Sequence, residues 1–123
     1  MEAGLKFAIL TGRQSPMVRR RAEELGIQFL LEGIQKKAPA LIELSENTGI
    51  SVDEMAYIGD DWNDLSAMMM TAFKACPADA AEEIKCICDY VAEKEGGHGA
   101  VRDCLEFILK AYGMWKRMVS TLY

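Results

Sequence analysis

Apolar runs without a helical period alternate along the chain with segments whose apolar residues recur every three or four positions. The first pattern predicts buried strands and the second predicts helices. Strands are predicted at residues 6–10, 28–31, 55–58, 72–76 and 88–92, the last one at a sheet edge. Helices are predicted from Ser15-Pro16 to about Leu25, and at residues 36–48, 63–70, 79–84 and 100–111. Gly26 and Gly49 are typical helix-ending residues.

The alternation of strands and helices indicates an α/β fold. Strands separated by helices form parallel sheets with helices on both faces, so we predict a doubly wound, Rossmann-like sheet. The 123 residues suffice for one domain, which we place at residues 1–112. Residues 113–123 form a predicted tail, and its apolar residues, among them Trp115, indicate docking on its own body or on a neighbouring subunit.

Composition excludes several classes of partner. The net charge of −5 argues against nucleic acid, which requires a basic surface. No apolar run approaches the roughly 18 residues of a membrane span, and Glu2 and Lys6 interrupt any signal-peptide pattern. The four cysteines form no CxxC pair, so we expect buried free thiols in a reducing cytosol and no structural zinc.

An acidic turn follows the third predicted strand. The strand ends at Gly59, and Asp60, Asp61 and Asp64 come within the next five residues. Ligands of open α/β sheets bind at the carboxyl ends of the strands, and Mg²⁺ prefers carboxylate oxygens with substrate phosphate. The turn therefore predicts a Mg²⁺ site. The alternative is a surface turn with a helix N-cap, where Asp and Asn are common.

Polar residues follow two other strands. Thr11 and Gly12 come after the first strand and before a helix, an arrangement that suits a phosphate oxygen, although Thr-Gly turns are common. Arg13 could pair with a carboxylate or phosphate, or be ordinary surface charge. Lys36 and Lys37 open a helix against its dipole, which hints at an anionic partner. His98 is predicted to be a loop residue. Thr11, residues 33–37 and residues 60–64 lie at the carboxyl ends of strands or just beyond, so they would converge on one crevice and form a Mg²⁺-assisted phosphate site.

The motifs together resemble a known family. The segments at 9–13 (ILTGR), 21–27 (RAEELGI), 33–37 (GIQKK), 56–64 (AYIGDDWND) and 96–102 (GGHGAVR) occur in the order and spacing of the haloacid dehalogenase superfamily of phosphatases. Within it, the chain is similar to the small, cap-less phosphatases of 3-deoxy-D-manno-octulosonate 8-phosphate and their sialic-acid-type relatives. The resemblance covers essentially the whole chain.

The resemblance implies roles for the basic and hydroxyl residues. Thr11 would bind the transferring phosphoryl group, with Gly12 beside it. Lys37 would neutralise phosphate and nucleophile, and Lys36 is the less favoured register. Arg13 would contact the sugar acid, and an arginine at this position favours octulosonate-type over nonulosonate-type substrates.

The resemblance also implies a metal site and an assembly. Asp60 would be a Mg²⁺ ligand, Asp61 would support it directly or through water, and Asp64 would brace the lysine or the metal shell. The enzymes of this group are typically tetramers in which the carboxyl-terminal tail reaches the next subunit's site. The implied function is hydrolysis of a small phosphorylated sugar acid in the cytoplasm, in lipopolysaccharide biosynthesis.

One motif of the family is absent. The family begins with a strand carrying DxDG, whose first aspartate is the nucleophile, and no DxD occurs in this chain. The strand at 6–10 corresponds to the family's second motif, so the central strand and the hairpin after it would be missing. We expect a shortened version of a longer phosphatase; the alternatives are completion by a second chain, or a non-catalytic phosphate-binding or oligomerisation module.

Overall fold

The structure is a computed structural model, and it describes residues 6–12, 14, 16–27, 29–95 and 99–111. The described residues form strands and helices in alternation. The strands are β1 (Ala8–Leu10), β2 (Phe29–Leu31), β3 (Ala56–Ile58), β4 (Phe73–Cys76) and β5 (Tyr90–Val91). The helices are α1 (Pro16–Leu25), α2 (Lys37–Thr48), α3 (Leu65–Met68), α4 (Glu82–Ile87) and α5 (Ala100–Ala111), with 3-10 turns at Val52–Glu54 and Trp62–Asp64.

Every strand pairing is parallel, which confirms the predicted α/β class. β1 pairs with β2, and β3, β4 and β5 form a second sheet in that order. Among the described strands, none pairs with the second edge of β1 or with the edge of β3 that faces away from β4. The strands therefore form two short sheets where the sequence analysis predicted one.

The two sheets share one hydrophobic core. Leu41 and Leu44 of α2 pack with Tyr57 of β3 and Met68 of α3. Leu10, Phe29 and Leu31, which come from the first sheet, pack against this cluster. Burial of apolar surface from both sheets in one cluster holds them against each other.

Helix α5 covers the opposite face of the second sheet. Ala100 and Cys104 pack with Ala75 of β4 and Ala92, and Ile58 and Phe73 contact this cluster. Successive β4 residues point to opposite faces, so Ala75 faces α5 while Cys76 faces the main core. The predicted arrangement with helices on both faces is confirmed for this sheet.

Two predicted helices differ from the observed ones. The helix predicted at 79–84 is α4, which begins three residues later, because Pro77 and Ala80 close a turn and Ala81 N–H bonds to the Asp60 carbonyl. The helix predicted at 63–70 divides into a 3-10 turn and the short α3. A capping box between Asp61 and Asp64 closes the tight first turn.

The cysteine prediction is correct in part. All four cysteines are free, and Cys76 and Cys104 are buried. Cys88 is half-buried, but Cys86 is exposed on α4. Burial raises the pKa of the Cys104 thiol to about 11, so this group stays protonated at neutral pH.

Some predictions fall on residues outside the described ones: the Ser15 cap, Arg13, His98 and the tail at 113–123. No helix in the described part of the chain has both the length and the apolar character that crossing a membrane requires.

Candidate functional site

A cavity of about 510 Å³ opens where strands of the two sheets end. Its lining residues follow β1, β3 and β4 or begin α2, and they include Thr11, Gly12, Lys37, Asp60, Asp61 and Asp79. The parallel strands point the same way, so the residues after them meet at one edge. The structure therefore brings together five of the residues that the sequence analysis assigned to a phosphate and metal site.

Asp64 lies beneath the cavity and connects its parts. Its Oδ1 accepts hydrogen bonds from Lys37 Nζ at 2.7 Å and from the Tyr57 hydroxyl at 2.8 Å. Its Oδ2 accepts the backbone N–H groups of Asp60 at 3.1 Å and of Asp61 at 3.3 Å. One buried carboxylate thus holds the α2 lysine, a β3 tyrosine and the acidic turn in a fixed relation.

The hydrogen bonds at Asp64 determine its charge state. Burial by itself raises the pKa of this carboxyl group, but hydrogen bonds from Lys37, Tyr57 and the Asp60 N–H outweigh it and hold the pKa below its usual value. For Tyr57, burial and its hydrogen bond to the Asp64 carboxylate raise the pKa of the phenol. Asp64 is therefore ionised at neutral pH while Tyr57 is a neutral donor.

The two aspartates after Gly59 differ in their surroundings. The Asp61 side chain accepts the Trp62 N–H at 2.7 Å and takes part in the capping box. Asp61 is therefore a helix N-cap, which the sequence analysis gave as the alternative to a metal ligand. Asp60 is the residue whose negative charge is disfavoured: burial, then the charges of Asp64 and Asp61, raise the pKa of its carboxyl group. A cation at Asp60 would relieve this repulsion.

Gly59 is required by close packing around the acidic turn. A Cβ at this position would lie 2.8 Å from both the Asp64 Cβ and the Met68 Sδ. The Gly59 N–H bonds to the Ala75 carbonyl on one side, and the Asp60 carbonyl accepts the Ala81 N–H on the other. Strand β4 and the loop that follows it thereby hold the backbone of the turn in place.

Two residues of the site were not identified as such from the sequence. Asp79 was assigned to a helix start, yet it lines the cavity; its position shortly after the end of β4 was the available signal. Tyr57 was assigned only to a strand. Its contact with Asp64 depends on how the turn folds back under β3, which no spacing rule shows.

The acids present fit a metal that needs few protein ligands. In the described part of the chain, no group of three or more His, Cys, Asp or Glu side chains is arranged to hold a metal by itself. Mg²⁺ usually takes one or two carboxylates and completes its shell with water and phosphate oxygens. Asp60 and Asp61 at an open cavity suit that kind of coordination.

Comparison with known proteins agrees with this geometry. A family profile described as haloacid dehalogenase-like hydrolase matches residues 31–103. The chain belongs to this family. The profile matches the segment that carries Lys37, the acidic turn and Asp79, so most of the cavity lies within the family's shared core.

Individual relatives point to one group of the family. The 3-deoxy-D-manno-octulosonate 8-phosphate phosphatase KdsC of Haemophilus influenzae is 38% identical over 113 residues, which cover 92% of this chain and 63% of that protein. The Escherichia coli K12 KdsC is 34% identical over 113 residues, 60% of its length. The chain therefore spans a little under two thirds of these curated relatives.

Solved structures show the same fold. The phosphatase of that name from Moraxella catarrhalis, in complex with magnesium ion, phosphate ion and KDO, superposes with a TM-score of 0.92 at 40% identity. The match covers 99% of this chain and 70% of that one. The cobalt-bound Haemophilus influenzae enzyme gives a TM-score of 0.88 at 37% identity, covering 94% and 67%.

Proposed function

We propose that this chain forms the phosphate- and Mg²⁺-binding part of a phosphatase that hydrolyses a sugar-acid phosphate. The observation that carries the proposal is the Lys37–Asp64 ion pair of 2.7 Å beside Asp60 and Thr11 at one cavity. The Lys37 ammonium group, braced by buried Asp64, and the Asp60 carboxylate, whose negative charge is disfavoured where it stands, provide complementary sites for a phosphate and a metal ion. The activity class, phosphoric monoester hydrolysis, agrees with the family.

The residues of the chain would act on the phosphoryl group by binding and charge neutralisation. The Thr11 hydroxyl would donate a hydrogen bond to a phosphoryl oxygen, and Gly12 would allow the backbone to approach it. Lys37 would place its ammonium group against the same oxygens, because Asp64 occupies only one of its three N–H donors in this contact. Positioning and charge neutralisation supply most of the catalysis in phosphoryl transfer.

Asp60 and Asp61 would hold the Mg²⁺ ion. The resemblance to KdsC and the magnesium in the Moraxella catarrhalis structure support this assignment, together with the raised pKa of Asp60. When bound, Mg²⁺ would polarise the phosphoryl oxygens and offset the charge that develops on them. Asp64 would contribute by fixing the backbone of both ligands and the position of Lys37.

The nucleophile would come from outside the sequence motifs of this chain. No DxD occurs in the 123 residues, whereas the family mechanism uses the first aspartate of that motif as the nucleophile. Both β1 and β3 have an edge that no described strand pairs, and both lead into the cavity. A parallel strand between them would end beside Thr11 and Asp60, which is where an attacking carboxylate is needed.

The finer identity of the substrate is part of the proposal. We assign 3-deoxy-D-manno-octulosonate 8-phosphate, which the names of the relatives support, with Arg13 selecting the sugar acid. We further assign residues 1–112 to the core and 113–123 to a tail that docks on a neighbouring subunit of a cytoplasmic tetramer. Replacement Arg13→Ala should change the ranking of sugar-acid substrates in the active form.

A second function is supported by the missing motif. Without a nucleophile, the chain would be a catalytically inactive phosphate-binding or oligomerisation module. It would keep the Lys37–Asp64 pair and the acidic turn, and would bind phosphate with Mg²⁺ without turnover.

Phosphate release separates the two functions. The purified chain should be assayed with octulosonate 8-phosphate and a generic phosphate ester, with and without Mg²⁺, alone and joined to an upstream segment carrying DxDG. We expect Mg²⁺-dependent release only from the joined form, and none when the first aspartate of that motif is replaced by Asn. Failure of the joined form to release phosphate would support the inactive module, and turnover by the chain alone would show that another acid serves as nucleophile.

A further inference from the structure

Tyr57 shares a carboxylate oxygen with the proposed phosphate-binding lysine. We propose that Tyr57 is a positioning residue: its hydroxyl holds Asp64 Oδ1 so that Lys37 remains directed at the cavity. This inference rests on the proposed function, because it assigns Lys37 to an anion. It adds to that site a buried residue that does not line the cavity.

Two donors meet at one carboxylate oxygen of Asp64. The Tyr57 hydroxyl and Lys37 Nζ donate to the same Asp64 Oδ1, at 2.8 and 2.7 Å. Tyr57 is buried in the main core, and the side chains of Lys37 and Asp64 are 11% and 4% exposed. Water therefore has little access to replace any of these hydrogen bonds.

The acceptor capacity of Asp64 is fully used by these contacts. A carboxylate has about four lone-pair positions, and Asp64 accepts two donors at Oδ1 and two backbone N–H groups at Oδ2. Tyr57 thus satisfies the position at Oδ1 that Lys37 leaves. Without the tyrosine donor, the full charge of Oδ1 would act on the ammonium group and draw it away from the cavity.

A second tyrosine in the chain provides a matched comparison. The Tyr90 hydroxyl donates to Asp103 Oδ1, also at 2.8 Å, and Asp103 Oδ2 accepts the Glu93 N–H at 2.9 Å. Neither Tyr90 nor Asp103 lines the phosphate cavity. Replacement of either tyrosine by Phe removes one oxygen and one tyrosine–carboxylate hydrogen bond, but only Tyr57 is connected to Lys37.

The first test compares phosphate binding by the two variants. Inorganic phosphate is titrated calorimetrically, in Mg²⁺, into the wild-type chain, Tyr57→Phe and Tyr90→Phe. Tyr57→Phe should weaken binding by a factor of about three to ten, the range expected when one hydrogen bond no longer supports the bound state. Tyr90→Phe should bind like the wild type. Equal affinity of all three chains would overturn the proposal.

A double-mutant cycle tests whether Tyr57 acts through Lys37. In a Lys37→Ala background, Tyr57→Phe should cause no further loss of phosphate affinity, because the group that Tyr57 positions is gone. A full additional loss in that background would show that Tyr57 affects phosphate by another route. Thermal melting should fall further in Tyr57→Phe than in Tyr90→Phe, because the Tyr57 hydrogen bond is buried and that of Tyr90 is part-buried. The cycle separates this structural cost from positioning, because only positioning depends on Lys37.

Two further measurements keep the inference distinct from the proposed function. Acylation of Lys37, followed by mass spectrometry without phosphate, should be slower in Tyr57→Phe and unchanged in Tyr90→Phe; an unchanged rate in Tyr57→Phe overturns the positioning role. If the wild-type chain binds no phosphate, the proposed function fails, and the acylation rate alone then tests the positioning role of Tyr57.

If Tyr57→Phe does not fold, NMR spectra of the wild-type chain with ¹³Cζ-labelled tyrosine test the role instead. Phosphate should shift the Tyr57 resonance and leave the Tyr90 resonance in place, and an unshifted Tyr57 resonance overturns the positioning role.

Discussion

Asp60 is the residue proposed to bind the metal, and its carboxylate lies beside those of Asp64 and Asp61. Burial and the neighbouring carboxylates raise the pKa of its side chain, so its ionised form is disfavoured in the fold. Asp60→Asn should therefore raise the melting temperature without Mg²⁺, because it removes this repulsion while keeping the shape of the side chain.

The same replacement should remove the stabilisation that Mg²⁺ gives. A ligand that binds only the folded state raises the melting temperature, so titration with Mg²⁺ should raise it for the wild type but not for Asp60→Asn. The control is Asp53→Asn, which alters an exposed acid on the Val52–Glu54 turn. An Asp60→Asn chain that keeps the wild-type response to Mg²⁺ would refute the assignment of the metal ligand.

The lowered pKa of Asp64 makes the stability of the fold depend on pH. The pKa of Asp64 is lower in the fold than in the unfolded chain, so its contribution to stability is present above the unfolded pKa of about 3.9 and is lost as pH falls through the folded pKa. Asp64→Asn should lose less stability than the wild type between pH 5 and pH 2. At pH 7 it should cost about 3 kcal/mol, because Lys37 loses a buried partner.

Urea unfolding at a series of pH values measures both effects. A variant of a solvent-exposed acid, Glu46→Gln on α2, controls for the general effect of removing one negative charge. If Asp64→Asn and wild type lost stability in parallel down to pH 2, the buried ion pair would not be the source of the acid sensitivity.

At the scale of elements, two glycines are needed for different reasons. Gly49 ends α2 with φ of 73°, and a Cβ there would touch nothing within 4 Å, so Gly49→Ala adds only backbone strain of about 1 kcal/mol. Gly59 has no such backbone conformation, but a Cβ would overlap Asp64 and Met68. Gly59→Ala should therefore cost more, about 3 kcal/mol, and displace Asp64.

Chemical denaturation and phosphate titration of both variants check this prediction. Gly49→Ala should keep the wild-type affinity for phosphate, whereas Gly59→Ala should weaken it even at temperatures where it is folded. Equal losses of stability in the two variants would contradict the steric explanation for Gly59.

The sequence predicted elements well where the determining signals are local. Helix α5 has the predicted bounds, because Gly99 precedes it and its apolar residues recur with a helical period. The start of α4 was predicted three residues early, since the turn after Pro77 is fixed by the bond from Ala81 to Asp60, which is distant in sequence. The rule that the carboxyl ends of parallel strands meet at one edge predicted that Thr11, Lys37 and Asp60 would lie close together, and all three line one cavity.

The contacts within the site needed the structure. Lys37 and Asp64 are 27 residues apart, and nothing in their spacing shows that one carboxylate would receive both the lysine and Tyr57. Cross-strand partners such as Tyr57 and Lys74 likewise depend on a register that only packing establishes. The resemblance implied roles for Lys37 and Asp64, whereas the positioning role proposed for Tyr57 rests on its contact with Asp64.

At the scale of the whole molecule, one core supports two sheets. Leu10, Phe29 and Leu31 join the cluster built around Leu41 and Met68, so the sheets are coupled by apolar packing. Among the described residues, the first sheet has two strands of three residues each, and the second has three strands with helices on both faces. Small two-stranded units are marginal by themselves, so β1 and β2 should open more readily than β3 and β4.

Amide hydrogen exchange tests whether a further strand can pair with the edges of β1 and β3 that no described strand occupies. An upstream segment carrying DxDG, supplied as a separate peptide, should slow exchange at Ala8–Leu10 and Ala56–Ile58, because a parallel strand between them adds hydrogen bonds to both edges. Exchange at Tyr90–Val91 should not change, since β5 forms the opposite edge of its sheet. A scrambled peptide of the same composition serves as control. Equal slowing at β5, or none at β1 and β3, would show that the nucleophile strand does not enter between the two sheets.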